Sequence, residues 1–435
     1  MTLSDNQPLT AEELLASPRG RSFILGLATR VPDHLEDAFD EEGEPLTAEA
    51  RIHDELGDSL LIAGFLTDKA DGAGVAMYLG AGFVEPEPGD VTAADVVEKL
   101  REVAPSAPTL DEVESELGEV VDDAEYWQPP DGVESIAADD EVRTALMPFA
   151  ETILATGLLD DWSRPLDQES QWALAWDDSE IHGTVGPVFD EPLGEVAEDR
   201  VIALDDLIAG DDDSGSSVPR GLNDWVADML STETERRSDF AKSPFHQLSS
   251  SWWSTPPLTL WSSTSTWRAG EPIGLSLVED SLGFERARAC RLRLRPELRI
   301  CEIHRPEDWA ELCRRYPLDV TAQQRSDWFE TTGRRGRWVI PDWSRVAEEF
   351  DGVHVSLAGY LRTAGAVVDI GEASVSEDLP SRPTAGDTDE RTASLMAGWN
   401  PDTTFWLGDV VTGIAEVAEW AYDDDADGWR QVPPR

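Results

Sequence analysis

The sequence predicts an α+β fold in two regions, the second a domain with a twisted, mostly antiparallel sheet flanked by helices. Three observations lead there. A chain of 435 residues exceeds what one hydrophobic core usually serves, so two domains are expected. Short apolar runs rich in β-branched residues alternate with stretches at helical spacing, which mixes the two periods along one chain. At 211–220 the apolar pattern gives way to Asp-Asp-Asp-Ser-Gly-Ser-Ser-Val-Pro-Arg, a composition typical of a flexible linker. The expected layout is an acidic α/β-type region over 1–209, a linker at 210–220, a Trp- and Arg-rich α+β domain over 221–421, and a tail at 422–435.

In chain order, residues 60–66 and 75–84 read as short buried strands punctuated by glycines. Thr92 and Thr109 stand just before helical patterns at 93–103 and 110–121, where a hydroxyl can accept from the first free N–H groups of a helix. Residues 258–266 alternate as a strand does. Two further strands, 292–294 and 298–303, lead into a helix at 306–315. Pro341 is suited to the first position of a helix carrying Trp343, Val346 and Phe350 on one face. Strands follow at 353–357 and 366–370, a polar loop at 374–388, and a tail whose acidic start and Pro-Pro-Arg end predict fraying.

Composition limits the function. With 89 acidic residues against 34 Lys plus Arg, the formal charge is −55, which argues against direct nucleic-acid binding, because phosphate affinity comes mainly from cations releasing counterions. The same charge would suit an acidic first region that engages a basic protein partner. No apolar run approaches the roughly 20 residues needed to span a bilayer, so no membrane association is expected. Cys290, Cys301 and Cys313 have no Cys-x-x-Cys spacing, and the polar start at 1–8 lacks the pattern of a secretory leader. Reduced thiols in a cytoplasmic protein without a metal site are therefore expected.

Charge reverses locally between Glu285 and Arg345, where 14 arginines face 10 acids. Such an island suits a phosphorylated ligand, since guanidinium groups bind phosphate oxygens in a bidentate fork. Arg334, Arg335 and Arg337 form its densest cluster, beside Gly333 and Gly336. His354, on a predicted strand with Asp351 nearby to orient it, is a candidate general base. The many tryptophans of this half are mostly core, with one or two available to stack on a flat ring such as nicotinamide or adenine.

Ser263-Thr264-Ser265 on its predicted strand resembles the ADP-ribosyltransferase superfamily, in which such a strand props up the nicotinamide pocket. The resemblance covers at most 243–409. It implies NAD as ligand, Ser263 and Ser265 as pocket residues, the cluster Arg334, Arg335 and Arg337 as the pyrophosphate clamp, and a late carboxylate facing the ribose. No Glu-x-Glu or Gln-x-Glu pair follows the serine strand, so Glu372 and Asp402 are the candidates for that carboxylate. Separately, the run 338–361 and Gly398-Trp399-Asn400-Pro401-Asp402-Thr403-Thr404-Phe405-Trp406-Leu407 resembles an uncharacterised Trp-rich family of actinomycete proteins, which implies a domain and no activity. A non-catalytic acidic interaction protein, or a protein with no enzymatic activity, is the alternative to a nucleotide-binding enzyme.

Overall fold

The chain is α+β, as its periodicity predicts. A computed structural model describes residues 8–70, 91–176, 221–242, 252–371 and 389–433, with short gaps at 33–34, 36–37, 41–42, 44, 268, 282, 424–425 and 427 and with Gly89 added. The helices are α1 (Ala11–Ala16), α2 (Pro18–Thr29), α3 (Ala48–Ala70), α4 (Ala93–Glu102), α5 (Leu110–Asp122), α6 (Gly132–Ala137), α7 (Asp140–Ala155), α8 (Leu222–Lys242), α9 (Pro306–Arg315), α10 (Thr321–Thr332), α11 (Trp343–Val346) and α12 (Leu357–Thr363). The strands are β1 (Trp172–Trp176), β2 (Ser262–Thr264), β3 (Arg286–Leu294), β4 (Ile300–Ile303), β5 (Pro317–Asp319), β6 (Gly336–Pro341), β7 (Gly352–Val355), β8 (Val367–Gly371), β9 (Asp389–Leu395), β10 (Thr403–Trp406), β11 (Val411–Asp423) and β12 (Gly428–Val432).

The strands form an eight-stranded sheet in the order β12-β11-β3-β1-β2-β10-β7-β4 and a four-stranded sheet in the order β5-β6-β9-β8. Pairing is antiparallel except for β4 with β7 and β6 with β9. The parallel β4–β7 pair needs a long crossover, which runs through α9, β5, α10, β6 and α11. Helix α9 begins with Pro306, whose missing N–H costs nothing in a first turn. Glu307 and Asp308 at its start and Arg314 and Arg315 at its end complement the helix dipole.

One hydrophobic core joins both regions of the chain, from Leu14, Phe23 and Val113 through Trp309, Trp343 and Trp399 to Leu407. Trp309 packs edge-on against Trp399, 6.0 Å between ring centroids, and its indole N–H reaches Ser394 Oγ at 3.0 Å. Trp309, Trp328 and Trp406 are buried with their indole N–H donated, to Ser394, the Trp252 carbonyl and Ser263. Trp338, Trp343 and Trp399 are buried without an acceptor for theirs among the described residues. Polar ties reinforce the join. The buried Arg362 guanidinium donates to Glu13 at 2.7 Å and to the carbonyls of Pro8 and His304, and Ser17 Oγ bonds the Leu361 carbonyl.

Several expectations are corrected. The two regions are not separate bodies, because β1, from before the expected linker, lies between β2 and β3. The linker at 210–220 itself, the strand at 75–84 and the loop at 374–388 lie outside the described residues. Residues 60–66 belong to the 23-residue helix α3, a short apolar run being ambiguous between strand and buried helix. Pro341 ends strand β6, where Pro317 faces it, and Asp342 is the N-cap of α11, its carboxylate accepting from the Ser344 and Arg345 N–H groups. Within the expected tail, Gly428–Val432 is strand β12, paired with β11. Tyr422 pairs with Trp429 in the β11–β12 hairpin, their rings 5.8 Å apart. Thr92 and Thr109 do stand at the N-caps of α4 and α5. Among the described residues no helix is long and apolar enough to cross a membrane.

Candidate functional site

Neighbouring strands place Ser263, Thr404, His354 and Glu302 in one row across β2, β10, β7 and β4: Ser263 pairs with Thr404, Thr404 with His354, and His354 with Glu302. Since residues opposite each other point to the same face, the sequence spends four polar side chains on one buried line. Thr404 is fully buried and His354 is 1% exposed. The loop before β1 covers the row. Gln171 Oε1 accepts from Ser263 Oγ at 2.6 Å, and the Leu166 N–H donates to Glu302 Oε1 at 3.0 Å. Ser263 Oγ also accepts from the Trp406 indole at 2.8 Å.

His354 sits between two carboxylates. Its Nδ1 lies 2.6 Å from Glu302 Oε2, and its Nε2 lies 3.5 Å from Asp402 Oδ1. The second contact is an ion pair without a hydrogen bond's approach, and neither His354 Nε2 nor Thr404 Oγ1 has a hydrogen-bond partner. Burial alone would lower the imidazole's pKa, but Asp402 and Glu302 outweigh it and raise it to about 9. The neighbouring His304 shows the opposite balance: burial dominates and lowers it. At neutral pH His354 is therefore an imidazolium and His304 a neutral ring. The expected general base at 354 already holds its proton, and its expected orienting acid, Asp351, instead pairs with Arg295 at 2.5 Å and Arg299 at 3.1 Å.

Asp402 is anchored by the serine strand. Its Oδ2 accepts from the Ser265 N–H at 2.7 Å, Ser265 Oγ at 2.6 Å and Thr264 Oγ1 at 3.2 Å. The backbone there is left-handed, φ 54°, a conformation Asp tolerates better than most residues. On the opposite face of β2, a cavity of about 80 Å³ is lined by Trp172, Trp176, Thr264, Asn400, Thr403 and Phe405 among others. Thr264 thus belongs to both features, lining the aromatic cavity while donating to Asp402. Asp402 keeps 14% of its side chain exposed.

Of the residues singled out from sequence, the fold brings together Ser263, Ser265, His354 and Asp402. The arginine cluster lies elsewhere, around α10 and β6. Arg334 stacks on Trp338, 4.6 Å from the ring centroid, and donates to the carbonyls of Arg337 and Arg391. Arg335 lies over Phe329 at 4.6 Å, and Arg337 faces Asp319 at 3.7 Å. None of the three lines the cavity beside Thr264, nor does any other arginine or lysine among the described residues. Glu372 lies outside the described residues. Sequence reading missed Glu302, Thr404 and Gln171. The signal for the first was present, a lone Glu inside the apolar strand Ile300-Cys301-Glu302-Ile303.

The three cysteines are buried free thiols, and burial pushes Cys290 and Cys313 up to about 12. No group of three or more His, Cys, Asp or Glu side chains that could hold a metal is found among the described residues. Comparison with protein families, with curated proteins and with solved structures finds no match to the chain.

Proposed function

We propose that the chain binds the flat ring of a nucleoside-type ligand in the cavity between β1, β2 and β10, whose volume of about 80 Å³ admits the ring alone and leaves the ribose outside it. Asp402, tied to the wall through Thr264 and 14% exposed, is the carboxylate offered to the sugar. The observation that supports this most directly is the double role of Thr264, which couples an aromatic-walled cavity to an anchored carboxylate. Trp172, Trp176 and Phe405 offer faces for a planar ring, and a carboxylate accepts well from vicinal hydroxyls. A carboxylate so placed would also stabilise positive charge developing at a ribosyl carbon, the step that the resemblance to ADP-ribosyltransferases implies. NAD suits the site only through its nicotinamide riboside half. Its pyrophosphate finds no cation among the described lining residues, so no step is drawn through the dinucleotide.

Calorimetric titration of nicotinamide riboside and of adenosine into the full chain tests this, alongside Asp402→Asn. Binding to the wild-type protein, weakened roughly tenfold or more in the variant, is the expected result, since a hydrogen bond to a charged group is worth about 1.5–3 kcal/mol. Absence of heat with either nucleoside at millimolar concentration, or equal affinity in a folded Asp402→Asn protein, overturns the reading. Release of nicotinamide from the riboside over hours would extend it from binding to catalysis.

A further inference from the structure

A second, larger cavity of about 410 Å³ opens far along the chain from that site, where the first turn of α2 meets the α5–α6 connection and residues 331–332 and 365–367. Its wall carries Arg19, Arg21 and Ser22 from one helical turn, with Glu125, Glu134 and Ser135 across from them. In a protein of charge −55, a guanidinium normally finds a carboxylate. Arg21 does not: its Nη1 donates to the Ala16 carbonyl at 3.0 Å, its Nε meets no acceptor, and among the described residues no carboxylate pairs with it.

Of the two acids of the wall, Glu134 pairs with Arg19, while Glu125 accepts from the neutral Gln128 amide and is raised by burial and by Asp280, Asp123 and Asp131, which favours its uncharged form. Arg19 is 3% exposed and its Nε is likewise without a partner. Burial is the largest cause lowering the Arg21 guanidinium to about 10, with Arg143 and Arg19 adding to it. Those two arginines have their own carboxylates, Asp140 and Glu134, and Arg21 has none among the described residues. The turn that holds them is rigid. A Cβ at Gly20 would stand 2.2 Å from the Leu14 carbonyl oxygen, so only glycine allows α1 and α2 to close so tightly. Ser17 caps this turn by accepting from the Gly20 N–H at 3.1 Å, and the positive end of a 12-residue helix adds to the local field. The protein's overall negative charge does not cancel this, because screening confines exposed charges to about 8 Å at physiological salt while enclosed ones are screened less.

We propose that this cavity is an anion site taking a small phosphate-bearing molecule, with Arg21 as its anchoring cation and the Ser22 hydroxyl as a further donor. It is independent of the nucleoside cavity and stands or falls apart from it. A volume of this size suits a ligand of mononucleotide dimensions rather than a bare ion, but the phosphate group alone is the recognised element and inorganic phosphate is the probe.

The test is thermal unfolding and calorimetry of the full chain with inorganic phosphate, at an ionic strength held constant with sodium chloride. Phosphate should raise Tm in a saturable manner, as a ligand bound only by the native state must. Arg21→Gln should weaken the apparent affinity roughly tenfold or more. Val367→Glu, a change at a cavity-lining residue that is 43% exposed, should do the same by adding a negative charge at the mouth, and it remains informative should Arg21→Gln fail to fold. An equal rise with matched chloride, or an undiminished phosphate response in Val367→Glu, overturns the assignment.

Discussion

In the parallel pair β4–β7, Glu302 stands directly opposite His354, and its Oε2 lies 2.6 Å from the imidazole Nδ1. The bond joins residues 52 apart in sequence and closes one side of a carboxylate–imidazolium–carboxylate line whose other side is Asp402. Two negative groups around one positive group leave an excess negative charge in a region mostly closed to water.

Glu302→Gln keeps the shape of the side chain and removes its charge. The change removes the short charged bond to Nδ1 but leaves His354 its ion pair with Asp402, so a loss of about 1.5–3 kcal/mol is expected, less than for a buried charge left alone. Urea unfolding at pH 7 measures it, and a midpoint equal to that of the wild-type protein would show that the pair contributes nothing. The His354 pKa, followed by NMR, should fall in the same variant.

Stability should decline as pH rises from about 6 to 9. His354 titrates near 9 in the folded chain and near 6.5 when unfolded. A raised pKa means that the native state binds the extra proton, so this contribution is complete below about 6.5 and is lost as pH passes through about 9. Glu279 acts in the same direction. Burial raises it from 4.5 to about 8, so the stability attached to its neutral form is complete below about 4.5 and is lost as pH rises through about 8. Glu279→Gln should therefore flatten the curve below about pH 8, leave the His354 decline toward pH 9 in place, be nearest to neutral below about pH 5, and be most favourable above about pH 8. A stability profile that rises between pH 6 and 9 would falsify this assignment of charges.

Asp402 separates conformation from charge. Asn tolerates the left-handed backbone and Ala does not, so Asp402→Ala should be less stable than Asp402→Asn by about 1–2 kcal/mol, the cost of placing an ordinary residue in that region. Both variants lose the charge facing His354, and both should lower its pKa. Equal stability of the two by denaturant titration would mean that the backbone at 402 relaxes.

Replacing Arg334, Arg335 and Arg337 together by Gln should leave nucleoside affinity within about twofold, since well-separated sites are nearly additive. The same variant should lose stability, because Arg334 stacks on Trp338 and ties β6 to the Arg391 carbonyl. Calorimetry on the refolded triple variant checks both. Loss of nucleoside binding without unfolding would restore the cluster to the ligand site.

How much of this was legible follows from distance along the chain. The caps at Thr92 and Thr109, helix α9 and the serine strand are local patterns, and sequence reading finds them. His354 was visible as a histidine in the apolar strand at 353–357, Ser263 and Ser265 through the resemblance of their strand to ADP-ribosyltransferases, and Asp402 as a candidate late carboxylate. Their meeting was not, because it depends on the order of strands in the sheet. The arginine cluster misled for the same reason: fourteen arginines in one stretch say nothing of direction, and the fold turns Arg337 toward Asp319, Arg295 and Arg299 toward Asp351, and Arg334 and Arg335 onto aromatic rings. Glu302 was legible only as an anomaly, since its partner lies beyond a crossover of five elements.

The insertion of β1 between β2 and β3 has a consequence for synthesis. Trp172–Trp176 leaves the ribosome before either neighbour exists, and its partners begin only at Ser262 and Arg286. Until then an apolar strand with two open edges must be kept from other chains. Pairing at such separation is slow and exposes the chain to aggregation, so a fragment beginning at Leu222 would lack the middle of its own sheet. The order of synthesis, and not the final packing alone, therefore bears on how this sheet closes.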